Sequence, residues 1–513
     1  MNSDSVATDS ALPMSPPPPI WRGLLIGGSL TVALLGGSAA LAVAIALWPR
    51  TAGPAFLLAA CGAVIFLLHP VFTFALYYAL SLRTAAIGLP GLPVSVNQVF
   101  FLAFFLSLAR WAWTRRLVRP RGWPLLATAA LAGFYVVSAL TGESFLYGLT
   151  ATKTTITMFA IAVAVGAMVA SPRVARQISW AVVLPTIFSG LVGLAEAALR
   201  RDILGDTKDY FHGFFRINGL SPNAIVFAYT CLYAFPFGLF LARHSRRWIE
   251  RAAALGCAMF LLVIPLATFN RQTWLFMPVL VALAIVMFRG GLGRILLIGA
   301  LAIALAFGPI LGPPVLARFR NLKSFETDWS FRERQDYVIN GLSVFRHFPW
   351  FGCGLGSYGP IWWTYHSPDT FMQQYAWMWE KYSPDLSYLR LLAETGAVGL
   401  GLNLIYYAAL TRFLWRHWRK LRAEGRSAEA DWAAATLNTW ALFLMGSAVQ
   451  DTSLYLRTWV TFGLTLAFAA TRAVGAAVDR WEKAKDSVVT VRSATLRSYR
   501  SYGSDESHRN DTT

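Results

Sequence analysis

Residues 222–247 read PNAIVFAYTCLYAFPFGLFLARHSRR: no charged side chain from Pro222 to Ala242, then Arg243, Arg246 and Arg247 in quick succession. As a helix, such an apolar run rises about 30 Å, the thickness of a bilayer's hydrocarbon core. The arginines that close it mark a cytoplasmic loop by the positive-inside rule. The same pattern recurs along the chain. It predicts membrane helices near 22–48, 54–69, 71–83, 97–113, 122–140, 153–170, 177–198, 222–242, 252–269, 272–288, 293–315, 386–411, 432–450 and 455–472. The expected fold is therefore all-α, a polytopic integral membrane protein of about 12–14 transmembrane helices.

Composition agrees. Of 513 residues, 56% are apolar and 14% charged, with a mean hydropathy of +0.49, against roughly 25% charged in soluble domains. A water-soluble fold would expose too much apolar surface, which excludes soluble and fibrous classes. The net charge of +19 does not indicate nucleic acid, because most basic residues sit in short loops between apolar runs. Arg110, Arg115, Arg116, Arg119 and Arg121 form one such loop; Arg243, Arg246, Arg247 and Arg251 a second; Arg412, Arg416, Arg419, Lys420, Arg422 and Arg426 a third. All three fall on one side, which the rule makes cytoplasmic, with both termini. Cys61, Cys231, Cys257 and Cys353 lack metal-type spacing and suggest no disulfide framework. No basic n-region or cleavage site precedes the first apolar run, so no cleaved signal peptide is expected. The expected organisation is a disordered cytoplasmic tail over 1–20, N-terminal transmembrane helices over 21–198, a transmembrane core over 199–472 that includes the external loop 316–385, and a polar cytoplasmic tail over 473–513.

Two segments on the opposite side exceed a turn: 199–221 and the large loop 316–385. Both break the charge rule, with Arg200, Arg201, Lys208 and Arg216 in the first, Arg271 at a short turn, and Arg318, Arg320, Lys323, Arg332, Arg334 and Arg346 in the second. The insertion bias opposes positive charge there, and an anionic substrate at that surface would account for it.

Three constellations carry chemistry. The stretch Phe215–Asn223, FRINGLSPN, sets an arginine fork beside a helix start whose backbone N–H groups could face an anion, as a phosphate cradle requires. A capped helix with an interfacial arginine is the plainer alternative. In FNRQTW, Arg271 lies between two apolar runs; snorkelling is its alternative. Together, Arg216 and Arg271 could hold a diphosphate by two forks from different helices. In the long loop, Arg334 precedes PWFGCGLGSYG, Pro349–Gly359, whose glycines would let backbone approach a ligand or simply form a turn. Asp385 and Glu394 in YSPDLSYLRLLAETG flank the point where an apolar helix meets the membrane, where an ionisable group is costly without a role; helix capping is the alternative for Asp385. The external loops carry no DxD sequence, and no metal is expected.

The order of these pieces resembles the O-antigen ligase and polymerase superfamily over about residues 210–470. Arg216 with Gly219, Pro222 and Asn223, then Arg271, then Arg334 with Pro349, Gly352, Gly354 and Gly356, and finally Tyr388, Leu389, Leu392, Glu394, Gly396 and Gly399 are similar to successive family motifs. The chain departs from the family where its ligases carry a His-Asn pair: here stand Asp385 and Leu386. Polymerase-type members more often carry Asp there. His366, in YHSPD, could substitute in space, or be an interfacial histidine packed among Trp362, Trp363 and Tyr365.

What the resemblance implies is a glycosyltransferase of the bacterial inner membrane, active on its periplasmic face. It would join undecaprenyl-diphosphate-linked glycan units into O-antigen or exopolysaccharide, without metal or cofactor. A chain-length regulator and a flippase would be its pathway partners. Arg216, Arg271 and Arg334 would bind the diphosphate; Asp385, with Glu394 and His366 as alternatives, would take the acceptor proton. Ligation to lipid A core is the first alternative. Transport of the same lipid-linked sugar is the second, expected to show inverted repeats and broken mid-membrane helices.

Overall fold

The computed structural model describes residues 69–82, 96–114, 117, 120, 122–169, 171–200, 210–211, 214–288, 295, 298–299, 329–367, 386–450 and 458–468. The helices expected at 22–48, 54–69 and 293–315, both tails and Asp385 fall wholly or almost wholly outside these.

The described residues are helical almost throughout, and the protein is an all-α polytopic membrane protein. The helices are α1 (Pro70–Ser81), α2 (Val96–Trp113), α3 (Trp123–Leu140), α4 (Phe145–Met168), α5 (Pro172–Leu199), α6 (Ala224–His244), α7 (Trp248–Val263), α8 (Arg271–Phe288), α9 (Trp329–His347), α10 (Ser387–Ala423), α11 (Ser427–Ser447) and α12 (Thr458–Phe468). A 3₁₀ segment, Ile264–Thr268, prolongs α7. Among the described residues, seven spans are long and apolar enough to cross a membrane: α3 to α6, α7 with its 3₁₀ extension, α8 and α10. A small antiparallel hairpin, β1 (Tyr210–Phe211) with β2 (Phe214–Phe215), precedes α6.

Local sequence explains the helix starts. Ser171 and Asn223 cap α5 and α6, their side-chain oxygens accepting the N–H of Val174 and Val226, and Pro172 at the first position of α5 sets φ without losing a needed donor. Three expectations shift. The span read at 153–170 starts at Phe145 and that at 252–269 at Trp248, because polar residues near their starts, Thr150 and Lys153 in one and Arg251 in the other, do not stop a helix that neighbours pack. The loop 316–385 holds the nineteen-residue helix α9, concealed by its polarity.

Helix α6 is the post of the bundle: every residue from Val226 to Leu241 is buried, against α5, α7, α8 and α11. In lipid, association relies on close packing instead of water exclusion. Where α4 meets α12, Gly166 and Gly463 let the backbones touch; a Cβ on Gly463 would lie 2.6 Å from the Ala162 carbonyl oxygen.

The polar contacts sort the helix ends. At one end, Arg243 and His244 closing α6 pair with Asp431 near the start of α11, at 3.0 and 2.7 Å. There too Arg176 of α5 donates to the His244 carbonyl, and Arg422 of α10 to that of Met287 at the close of α8. At the other end, Gln272 of α8 donates to Val449, and the Ser387 hydroxyl of α10 to Gln450. The first end is the basic one; the candidate site lies at the second.

Candidate functional site

Arg216 leaves the hairpin and reaches across to the next pair of helices, its Nε donating to the Thr268 carbonyl at 3.0 Å. That carbonyl belongs to the turn that carries Arg271. Phe269 adopts a left-handed conformation (φ 52°), Asn270 accepts the Gln272 N–H on its side-chain oxygen, and Arg271 opens α8. Arg216 is thus tied to the backbone three residues from Arg271. The belt continues: Tyr229 donates to Gln272 Oε1 at 3.4 Å, Gln272 Nε2 to the Val449 carbonyl at 3.2 Å, and Ser387 to the Gln450 carbonyl at 3.0 Å. The starts of α6, α8 and α10 and the close of α11 therefore meet at one end, and Asp385 precedes that start of α10 by two residues.

The amides between Arg216 and the helix start at Asn223 are taken up by the chain itself. Glu196, buried near the end of α5, accepts the N–H groups of Asn218 and Gly219 at 3.1 and 2.8 Å on one oxygen, and Ser189 accepts that of Leu220 at 2.9 Å. Gly219 is required by this closeness: at φ 57° a Cβ would lie 2.4 Å from the Ser189 carbonyl oxygen. The chain's own carboxylate occupies these amides. Glu196 was not singled out from the sequence, although a lone acid in an otherwise uncharged apolar run, residues 177–198, is a signal of its own.

The glycine-rich turn is structural. Helix α10 breaks at Gly396 (φ 67°, ψ −171°), and Pro349–Gly354 mends the break. Cys353 and Gly354 donate their N–H groups to the Ala393 and Glu394 carbonyls at 3.0 and 2.9 Å, while Ala397 and Val398 donate to Pro349 and Trp350 at 2.8 and 3.1 Å. The other side of the turn binds the α3–α4 connection, where Glu143 donates its N–H to the Cys353 carbonyl and Leu355 donates to Ser138. A Cβ on Gly352 or Gly396 would fall 2.3 Å from opposing backbone carbon. These glycines admit backbone, not a ligand.

The remaining candidates separate. Glu394 is 2% exposed and ion-paired at 3.0 Å with Arg390, a partner the sequence reading passed over. His366 stacks on Trp363 (centroids 4.1 Å apart, planes 9° from parallel) with its Nδ1 against the Trp363 carbonyl, the packed-histidine alternative. Arg334 is half-buried on α9, in the loop whose small core of Tyr337, Val344, Cys353, Tyr358, Trp362 and Ala393 joins α9 to α10. The residue before α10 is Leu386, which brings no capping side chain; Asp385 lies outside the described residues.

Residues 256–404 match the family model described as O-antigen ligase. The superfamily read from the sequence holds over that stretch, which includes Arg271, Arg334, Asp385 and Glu394 and stops short of Arg216. The match supports a glycan ligase or polymerase role, with a lipid-linked glycan and an acceptor as substrates, and does not separate the two activities. No curated protein matches the chain.

Proposed function

We propose that the protein is a glycan polymerase of the bacterial inner membrane that elongates a surface polysaccharide from undecaprenyl-diphosphate-linked units at its periplasmic face. The observation that carries this reading is the tie between Arg216 and the turn of Arg271, at the end of the bundle where α10 begins after Asp385. Two arginines from different helices suit a diphosphate, because each planar fork can hold two oxygens. In the reaction, the acceptor hydroxyl oxygen bonds to the anomeric carbon of the donor sugar, the bond from that carbon to the diphosphate oxygen breaks, and the diphosphate leaves with its lipid. Arg216 and Arg271 offset the charge gathering on the leaving group. Asp385 accepts the hydroxyl proton, and Arg334 is a further diphosphate contact from the loop. Asp385 and Leu386 in place of the ligases' His-Asn pair favour polymerisation over ligation.

The test is genetic and biochemical together. Deletion of the gene leaves surface glycans capped at one repeat; long chains stranded on the carrier would instead assign ligation. Complementation with Arg216→Lys or Arg271→Lys, at matched protein level, reduces chain elongation at least about tenfold, since lysine keeps charge and loses the fork. Wild-type polymer from both variants removes the pair from the site.

A further inference from the structure

At the basic end, away from the candidate site, a cavity of about 620 Å³ opens between the first turns of α5 and α7. Arg173 and Arg176 line it from α5, Arg246 and Arg247 from the α6–α7 connection, with Trp180 beside them and Glu250 its single acid. Arg176 is braced by its bond to the His244 carbonyl at 2.9 Å, which fixes one wall. Both helices point their N-terminal ends toward this region, and α7 has no side-chain cap, so free N–H dipole adds to the positive field.

We propose that this cavity binds the phosphate headgroup of an anionic phospholipid in the leaflet on the basic side, which the positive-inside rule makes the cytoplasmic one. Four guanidinium groups against one carboxylate call for an anion with several acceptor oxygens, as a phosphodiester has. What selects a lipid over a soluble phosphate is the surround. Trp248 and Ile249, the two residues after Arg247, are 76% and 61% exposed, an apolar pair of the kind that suits the level where headgroup gives way to acyl chain. Trp180 in the cavity wall is of the type enriched at that depth. Basic pockets between helices at this face suit anionic headgroups. The inference rests on α5 and α7 crossing a membrane, and on no part of the glycan-transfer reading.

The test titrates the delipidated, detergent-solubilised full chain with phosphatidylglycerol, phosphatidylcholine or inorganic phosphate, counting bound lipid by mass spectrometry of the intact complex. Phosphatidylglycerol is expected to bind at least about tenfold more tightly than phosphatidylcholine, and to be weakened several-fold by raised salt. The double variant Arg246→Gln/Arg247→Gln loses that preference, while Arg416→Gln/Arg419→Gln, exposed on the same side, keeps it. Should the first variant fail to fold, the lipid and salt titrations on the wild type still decide. Equal binding of the two lipids, salt-insensitive binding, or an unaltered Arg246→Gln/Arg247→Gln variant overturns the proposal. So does displacement of phosphatidylglycerol by inorganic phosphate at equal concentration, which would make the site one for a soluble anion.

Discussion

Glu394 sits two turns into α10 with its carboxylate 3.0 Å from Arg390, a spacing of four residues that places both groups on one face of the helix. Read from the sequence, an acid at that depth suggested catalysis; the buried ion pair supplies a structural reason for its presence. The two roles part on mutation. Glu394→Gln removes the carboxylate from this ion pair with Arg390, 13% exposed, and costs about 3 kcal/mol of stability. Adding Arg390→Gln restores part of that loss, and polymer made per folded molecule stays within a few-fold of wild type. Thermal unfolding in detergent and elongation assays read the two separately; a thermally unperturbed Glu394→Gln without elongation would return Glu394 to the chemistry. Arg390 was legible as an i,i+4 partner of Glu394. That Glu196 fills the amide nest was not, because it joins residues 22 and 23 positions apart through a turn that no helical periodicity describes.

At the scale of elements, the broken helix α10 and the glycine-rich turn form one unit. Breaking a membrane helix frees backbone groups that lipid cannot satisfy, and here the turn satisfies them: four backbone hydrogen bonds join the two. The sequence displayed both halves, glycines at 352, 354 and 356 and a glycine at 396, yet gave no sign that they meet, because amide-to-carbonyl pairing across some forty residues has no local pattern. Gly396→Ala must leave a conformation that L-residues avoid and displace Trp350 backbone 2.3 Å away, at a cost on the order of 3 kcal/mol. Cys353 reports the outcome. Burial first, then the Glu394 carboxylate, pushes its thiol above the usual range, so in the folded wild type it stays protonated at neutral and mildly alkaline pH, and unreactive to maleimide. In Gly396→Ala the turn loosens, the thiol returns toward its ordinary value, and alkylation appears near pH 8. Equal protection of Cys353 in the two proteins would show that the turn docks without the glycine.

For the whole molecule, the apolar runs and arginine loops conveyed the spans and their phase, since membrane crossing is a matter of length and composition. They did not convey which ends touch. The contacts that sort the ends are polar: Arg243 and His244 with Asp431, Arg422 with Met287, Gln272 with Val449, Ser387 with Gln450. Each joins helix ends that the arginine loops place on the same side, so two independent observations agree on the sorting. Neither fixes which side faces the cytoplasm; that follows from the charge bias, which loads the end opposite Arg216 and Arg271 with arginine. Alkaline phosphatase fused after Tyr358 is therefore expected to be active, and fused after Gly425 inactive, with a cytoplasmic reporter giving the reverse at both points. The two fusions must disagree if helix α10 crosses as described, whichever way the protein inserts. Agreement between them would break the fold's end-sorting, while a clean inversion would leave the fold standing and move the arginine pair to the face that holds nucleotide-sugar chemistry instead of finished lipid-linked units.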